Sequence, residues 1–424
     1  MTEPARLDRR IGLGGAIMLS FNGAVGAAIF ALPATLAADL GPFAPWLFPI
    51  AGILSLLVVI PFARSVAAFP TSGGPATYGA AFGRFAGFEL GWIYYVARAA
   101  AFAANANVLI AYLARWWAPA ATGAPRAAIL VGVAALLAAV NIAGVKRAMA
   151  LLGGFTVLKA VPLIVAAVVA LTMFPLPMPG PLPSLSAVEA TMLLVFYAFV
   201  GFENAVVPAG ETMAPERTLP RALIATIAVT AVLYFLVQMA FVAAFPMGGA
   251  NPDAPLIDLG QRLAGPTGAA IITMAAIASL AGNLHGIMTS TPRVTWALGE
   301  RGDLPRWFAA LSARFATPAN SIAFLALVVA LLGVSGSFVW LAVVSTLARM
   351  IVYAVTIAAL ARAPDQRAVT SAQWVSGAVG IALCILAASQ ADAKAWATLA
   401  ALAAAGVLLF LVARPPGQGD RPLT

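Results

Sequence analysis

Apolar residues run along this chain in long blocks, separated by short segments that hold most of the charges and many of the prolines. A helix rising 1.5 Å per residue needs roughly 20 such residues to cross a hydrocarbon layer of about 30 Å. Twelve blocks meet that requirement, near residues 11–38, 44–69, 86–117, 127–144, 150–174, 188–211, 220–245, 266–296, 318–335, 337–362, 371–389 and 395–413. Strand-like alternation in segments of about ten residues, the mark of a membrane barrel, is absent. The pattern therefore predicts an all-α integral membrane protein whose backbone groups pair within each span.

Two blocks are interrupted where a helix ought to be continuous. The stretch FNGAVGAAIFALP, Phe21 to Pro33, sets Gly23 and Gly26 inside the first block. Glycine in a helix interior costs about 1 kcal/mol relative to alanine, and a backbone group freed in lipid costs several more. Close packing of small residues would explain either glycine taken alone. A second interruption weighs against that: in FVGFENAVVPAGETMAPERTLPRA, Gly201 breaks the sixth block and Glu203 follows it. Breaks in the first and sixth of twelve helices are the mark of an inverted five-helix repeat with a substrate site at the midplane. Residues 1–175 and 185–363 are accordingly expected to form the two repeats and 370–413 two additional C-terminal helices, all within a single transmembrane domain.

Composition agrees: 62% of the 424 residues are hydrophobic and 9% charged, with a mean hydropathy of +0.97, too little charge for a soluble globule. Charge placement adds direction. With the N-terminus in the cytoplasm, Arg6, Arg9, Arg10, Lys146, Arg147, Arg301, Arg306 and Arg314 fall on inner loops, and Arg115, Arg126, Arg262 and Lys394 on the outer side. Both termini are expected to be cytoplasmic, in a multi-pass protein of a bacterial inner membrane. The net charge of +9 is scattered over short loops, which suits anionic lipid and gives no basis for nucleic-acid binding. MTEPARLDRR leads into a first block too long for a signal-peptide core.

Several chemistries find no residues to carry them. Cys384 and His285, the sole cysteine and histidine, cannot build a metal site; Cys384 reads as a packing residue, and His285 as a polar packing residue with a proton relay as the alternative. No GxxxxGK[ST] phosphate loop, catalytic dyad or cofactor motif occurs, so neither ATP-driven transport nor an enzyme is expected. Ionisable residues deep in spans are costly and point to function: Arg98, Lys159, Glu203 and Arg349.

Six motifs in order carry a resemblance: VGAAIFALP, PTSGGPATY at Pro70 to Tyr78, NIAGVKRA from Asn141, FTVLKAVPL from Phe155, GFENAVVPAGETMAPERTLPRA, and TPRVTWALGERGDLPRWF from Thr291. Together they resemble the amino acid, polyamine and organocation permeases, whose fold is of the leucine-transporter type. The resemblance implies a secondary transporter of amino acids that works by alternating access, with proton-coupled uptake of neutral substrates as the expectation. Sodium-independent exchange, or transport of polyamines or organic cations, is the alternative. Whether the chain acts as a monomer or a homodimer stays open.

The resemblance also implies site residues. A substrate carboxylate would meet the N–H groups of Gly26, Ala27, Ala28 and Ile29, where relatives more often have Gly-Ser-Gly than this chain's Gly-Ala-Ala. A substrate ammonium would meet carbonyls at Ala24, Tyr197 and Val200. Tyr197 would serve as lid or packing residue, with Phe199, Gly201 and Phe202 beside it. Lys159 would occupy the place of a sodium ion, either titrating or acting as a permanently charged strut. Arg98 is expected to pair with Glu203, leaving little free charge and hence a neutral substrate; the alternative is that Arg98 meets an acidic substrate. Glu203 could itself carry a proton, and Arg349, on the helix that mirrors the fifth, has no assigned role beyond roughly mirroring Lys159. Glu211 and Arg293, with Glu216, Arg217, Arg221 and Arg301, fall where the family keeps an inner latch of ion pairs.

Overall fold

The computed structural model describes residues 11–69, 74–143, 148–178, 180–206, 209, 212–362 and 370–413, without the side chains of 148–156. Glu211, Lys146, Arg147 and the first four residues of the Pro70 loop lie outside the described residues. Every described element is helical, with one isolated bridge between Ile11 and Thr212.

The chain begins with α1 (Leu13–Ala24) and α2 (Ala28–Leu40), then α3 (Leu47–Ala68), a one-turn α4 (Pro75–Gly79), the long α5 (Arg84–Ala114), α6 (Gly123–Ile142) and α7 (Ala148–Met173). The second half holds α8 (Leu185–Phe199), a 3-10 turn at Phe202–Ala205, α9 (Pro215–Ala244), α10 (Pro255–Ser290), α11 (Pro292–Glu300), α12 (Ala319–Ser335) and α13 (Phe338–Ala358). Last come α14 (Ser371–Ser389) and α15 (Ala393–Val412). Among the described residues nine helical stretches are long and apolar enough to cross a membrane, and three shorter apolar helices accompany them. The α7 face made by Val157, Val161, Ile164, Val165 and Val168 is exposed, each residue at least 45% accessible. Spaced by three and four residues, these side chains form one apolar stripe facing outward, as lipid requires.

Helix α5 is the pillar of the bundle. Its middle is a run of buried alanines, Ala97, Ala99, Ala100, Ala101, Ala103, Ala104 and Ala106, whose small side chains let α10, α12 and α13 approach closely. Ion pairs of 2.6 Å tie both its ends to the second half: Arg84 Nε to Asp303 at one, and Arg115 Nη2 to Asp258 at the other. The added helices pack on this body, α14 against α3 and α13, α15 against α5 and α13. Gly406 of α15 lies flat against the Trp92 ring of α5, where a Cβ would collide with it.

Both interruptions are present. Between α1 and α2 the backbone leaves helical geometry at Val25 (φ −82°, ψ 87°). After α8 it turns at Gly201, whose φ of +103° a residue with a Cβ rarely adopts. The breaks face each other, so that a Cβ on Gly23 would strike the Gly201 carbonyl and one on Gly201 would strike the Gly23 carbonyl. Ser20 Oγ donates to the Phe202 carbonyl at 2.7 Å and fastens α1 to the turn beyond α8. Gly23 thus exists for contact between two backbones.

That contact predicts a contrast within α1. Gly23→Ala forces the crossing apart and should lower stability by roughly 1 to 3 kcal/mol, as overpacked cores do. Gly14→Ala, at a position with nothing within 4 Å, should leave the melting temperature of the protein in detergent unchanged or slightly raised.

Candidate functional site

A cavity lies where the two breaks meet. It is lined by Gly23, Ala24, Gly26, Ala27 and Ala28 of the first break, by Tyr197, Val200 and Gly201 of the second, and by Arg98, Asn105, Asn283 and Arg349 from α5, α10 and α13. The centre of a water-sized sphere can explore about 20 Å³ of it, room for roughly one water molecule. Anything the size of an amino acid has to move the walls.

Side chains from neighbouring helices meet the backbone groups freed at the first break. Lys159 of α7 is fully buried, and its Nζ donates to the carbonyls of Asn22 (3.1 Å) and Val25 (3.0 Å) and to Asn22 Oδ1. Asn283 Nδ2 donates to the carbonyls of Asn22 and Gly23 at 3.2 and 3.1 Å. Asn105 Oδ1 accepts from Ala27 N–H at 2.9 Å, while its Nδ2 donates to Tyr197 Oη at 3.2 Å. The Ala24 carbonyl, expected to be open, accepts from Tyr234 Oη at 3.1 Å and from Gly26 N–H at 3.0 Å. Open donors remain one step further on: among the described residues neither Ala28 N–H nor Ile29 N–H, in the first turn of α2, meets an acceptor.

The second break is built around Glu203. Its Oε2 accepts from Gly201 N–H and from Tyr353 Oη, both at 2.8 Å, and its Oε1 from Arg349 Nε at 2.9 Å. In a continuous helix Gly201 N–H would reach the Tyr197 carbonyl, so Glu203 takes that donor and leaves the carbonyl without it. Arg349 also donates from Nη1 to the Ala97 carbonyl at 3.3 Å and to Ser345 Oγ, which joins α13 to α5. Both partners of the Arg349–Glu203 pair are buried, at 2% and 3% exposure.

The expected pairing of Arg98 with Glu203 is therefore corrected: Glu203 bonds to Arg349, because Ser345, Arg349 and Tyr353 stand on one face of α13 at four-residue intervals toward the break. Arg98 instead donates to Asn204 Oδ1, to Ser290 Oγ at 2.8 Å and to Thr291 Oγ1 at 3.3 Å. Phe199 and Phe202, expected as walls, do not line the cavity. The turn at Gly201 sends Phe202 onto Phe62 and Tyr353, and Phe199 packs on Phe48 and Tyr234. Ile29 is buried but does not line the cavity either. Tyr197 lines it, with its ring edge-on to Phe338 at 5.9 Å. Arg293 lies on α11, away from the cavity, and donates to the Thr289 carbonyl.

Asn105 and Asn283 were missed, although helical spacing carried the signal. Arg98, Ala101 and Asn105 follow one another at i, i+3 and i+7 on a single face of α5, and Ser279, Asn283 and Ser290 share a face of α10 at i, i+4 and i+11. An amide on the same stripe as a buried arginine was the cue. Among the described residues no group of His, Cys, Asp or Glu could hold a metal ion.

A model of the amino acid permease family matches residues 11–414. The chain belongs to that family. Among curated proteins, the permease is 29% identical to an uncharacterized transporter of Mycobacterium tuberculosis (strain ATCC 25618 / H37Rv) over 328 residues, 74% of this chain and 71% of the relative. It is 24% identical to the gamma-aminobutyric acid permease of Bacillus subtilis over 70% of this chain and 66% of that one. To the branched-chain amino acid permease BcaP of Lactococcus lactis it is 27% identical over 37% and 34%. The protein is a multi-pass membrane permease.

The buried pair gives the permease a stability test. Glu203→Gln strands the Arg349 guanidinium and should cost roughly 3 to 5 kcal/mol. Glu203→Gln combined with Arg349→Met should recover a large part of that loss, as read by thermal unfolding in detergent.

Proposed function

We propose that this permease is a secondary active transporter of amino acids that alternates access around the cavity at the two breaks. In this reading it has twelve spans with both termini cytoplasmic. Residues 1–175 and 185–363 form inverted five-helix repeats, 370–413 adds two helices, and the broken first and sixth spans are α1–α2 and α8 with its 3-10 turn. The observation that carries the reading is the crossing of the two breaks at Gly23 and Gly201 beside a cavity. One wall offers the free amide of Ala28 to a carboxylate, backed by that of Ile29 behind it and by the positive end of α2. The opposite wall offers the Tyr197 carbonyl, released by Glu203, to an ammonium. An α-amino acid has both groups.

The cavity's small size also supports alternation, since substrate can enter only as helices separate. Lys159 holds the first break as a bound cation would, by three bonds to Asn22 and Val25. We assign it the coupling role: removal of its proton weakens those bonds and frees α1 to move, so that proton movement drives uptake. Polyamines and organic cations fit poorly, because Arg98 and Arg349 both line the cavity while its nearest carboxylate, Glu203, is already paired. The expectation of a neutral side chain rested on walls of Ala, Val, Phe and Tyr and on Glu203 cancelling Arg98, and the second premise does not hold, since Glu203 pairs with Arg349.

Uptake into proteoliposomes tests the function. With an inward proton gradient wild type should accumulate an amino acid, without the gradient it should only equilibrate, and Lys159→Ala should abolish accumulation. Flux that requires internal amino acid and ignores the gradient would identify an exchanger with Lys159 as a strut. Flux of polyamines alone would overturn the proposal.

A further inference from the structure

We infer that Arg98 is the specificity residue of the cavity and that the preferred substrate is an acidic amino acid, whose side-chain carboxylate supplies the counter-charge the protein withholds. The inference rests on the cavity being an amino-acid site.

Arg98 sits in the middle of α5, is 2% exposed, and lines the same cavity as Ala27, Ala28 and Val200. Its Nε, Nη1 and Nη2 each donate to a neutral oxygen, on Thr291, Asn204 and Ser290 respectively. These bonds fix the plane of the guanidinium without neutralising it. Among the described residues no carboxylate lies within ion-pair distance, and both oxygens of Glu203 are committed to Arg349, Tyr353 and Gly201 N–H. Two guanidinium groups thus line the cavity while the one carboxylate beside it is taken by Arg349, and Lys159 adds a third positive charge behind the first break. A buried cation in that position is strongly penalised unless an anion joins it.

Arginine has five N–H donors, and one on each terminal nitrogen of Arg98 has no acceptor among the described residues. Such a fork matches a carboxylate in shape as well as charge. Arg98 and Asn105 stand two turns apart on one face of α5, and Ala101 between them presents only a methyl group. Asn105 is bonded to Ala27, at the edge of the open amides of α2. One carboxylate at those amides and another at Arg98, with a short carbon chain passing Ala101, describes glutamate or aspartate.

Purified protein in proteoliposomes decides it, using pairs that differ only in charge: labelled glutamate against glutamine, aspartate against asparagine, with succinate as the dicarboxylate lacking an amine. Wild type should prefer an acid over its amide by at least roughly tenfold, and Arg98→Gln should shift that ratio toward the amide by about a hundredfold, the scale of a charge-assisted bond to a carboxylate. Wild type alone gives a second readout if the variant does not fold: glutamate or aspartate should raise its melting temperature in detergent more than the matching amide. Transport of neutral amino acids with no competition by glutamate or aspartate would overturn the inference and leave the amino-acid reading standing. Transport of succinate in preference to glutamate would overturn it too, and failure of any amino acid to move or stabilise the protein would remove both.

Discussion

A helix broken inside a membrane leaves amides and carbonyls that lipid cannot satisfy, and the polar contacts around the cavity follow from that constraint. Lys159, Asn283, Asn105 and Tyr234 come from four different helices and all bond to the backbone between Asn22 and Ala27. Glu203 does the equivalent for Gly201, and Arg349 and Tyr353 hold Glu203 in turn. Without these side chains the backbone groups they meet would be left unpaired inside the membrane. The bundle is arranged so that they arrive together.

Each break is held by a cation, through different chemistry. At the first, the Lys159 ammonium bonds directly to carbonyls; at the second, a guanidinium acts through a carboxylate that accepts from an amide. The direct arrangement depends on one proton. The indirect one has a second charge to hold it, and a guanidinium does not surrender its proton. The two breaks therefore differ in how they are held, the first by an ammonium alone and the second by an ion pair.

Much of this was legible in the residues. Hydrophobic block length anticipated an all-helical chain, and Gly23 with Gly26 in the first block and Gly201 in the sixth anticipated the two interruptions, because each feature is set by local sequence and by the bilayer. Pairing among buried charges was not legible. Arg98 and Arg349 are both arginines near the middle of a span, and which one reaches Glu203 depends on rotation of α5 and α13 about their axes, a tertiary quantity. The Phe202 ring was misjudged for a related reason: Gly201 turns the chain left-handed before it, so helical periodicity ceases to report which way its side chain faces, whereas Phe199, two residues after Tyr197 in α8, falls on the opposite side of that helix by periodicity alone. Asn105 and Asn283 read as ordinary polar residues until the backbone they serve was in place.

The narrowness of the cavity bears on the membrane as well as on the substrate. A space that holds roughly one water molecule cannot hold the unbroken file of waters along which protons would hop from one face to the other. A cavity of this size offers protons no water file of its own, so any proton that crosses at this point has to be handed over by side chains.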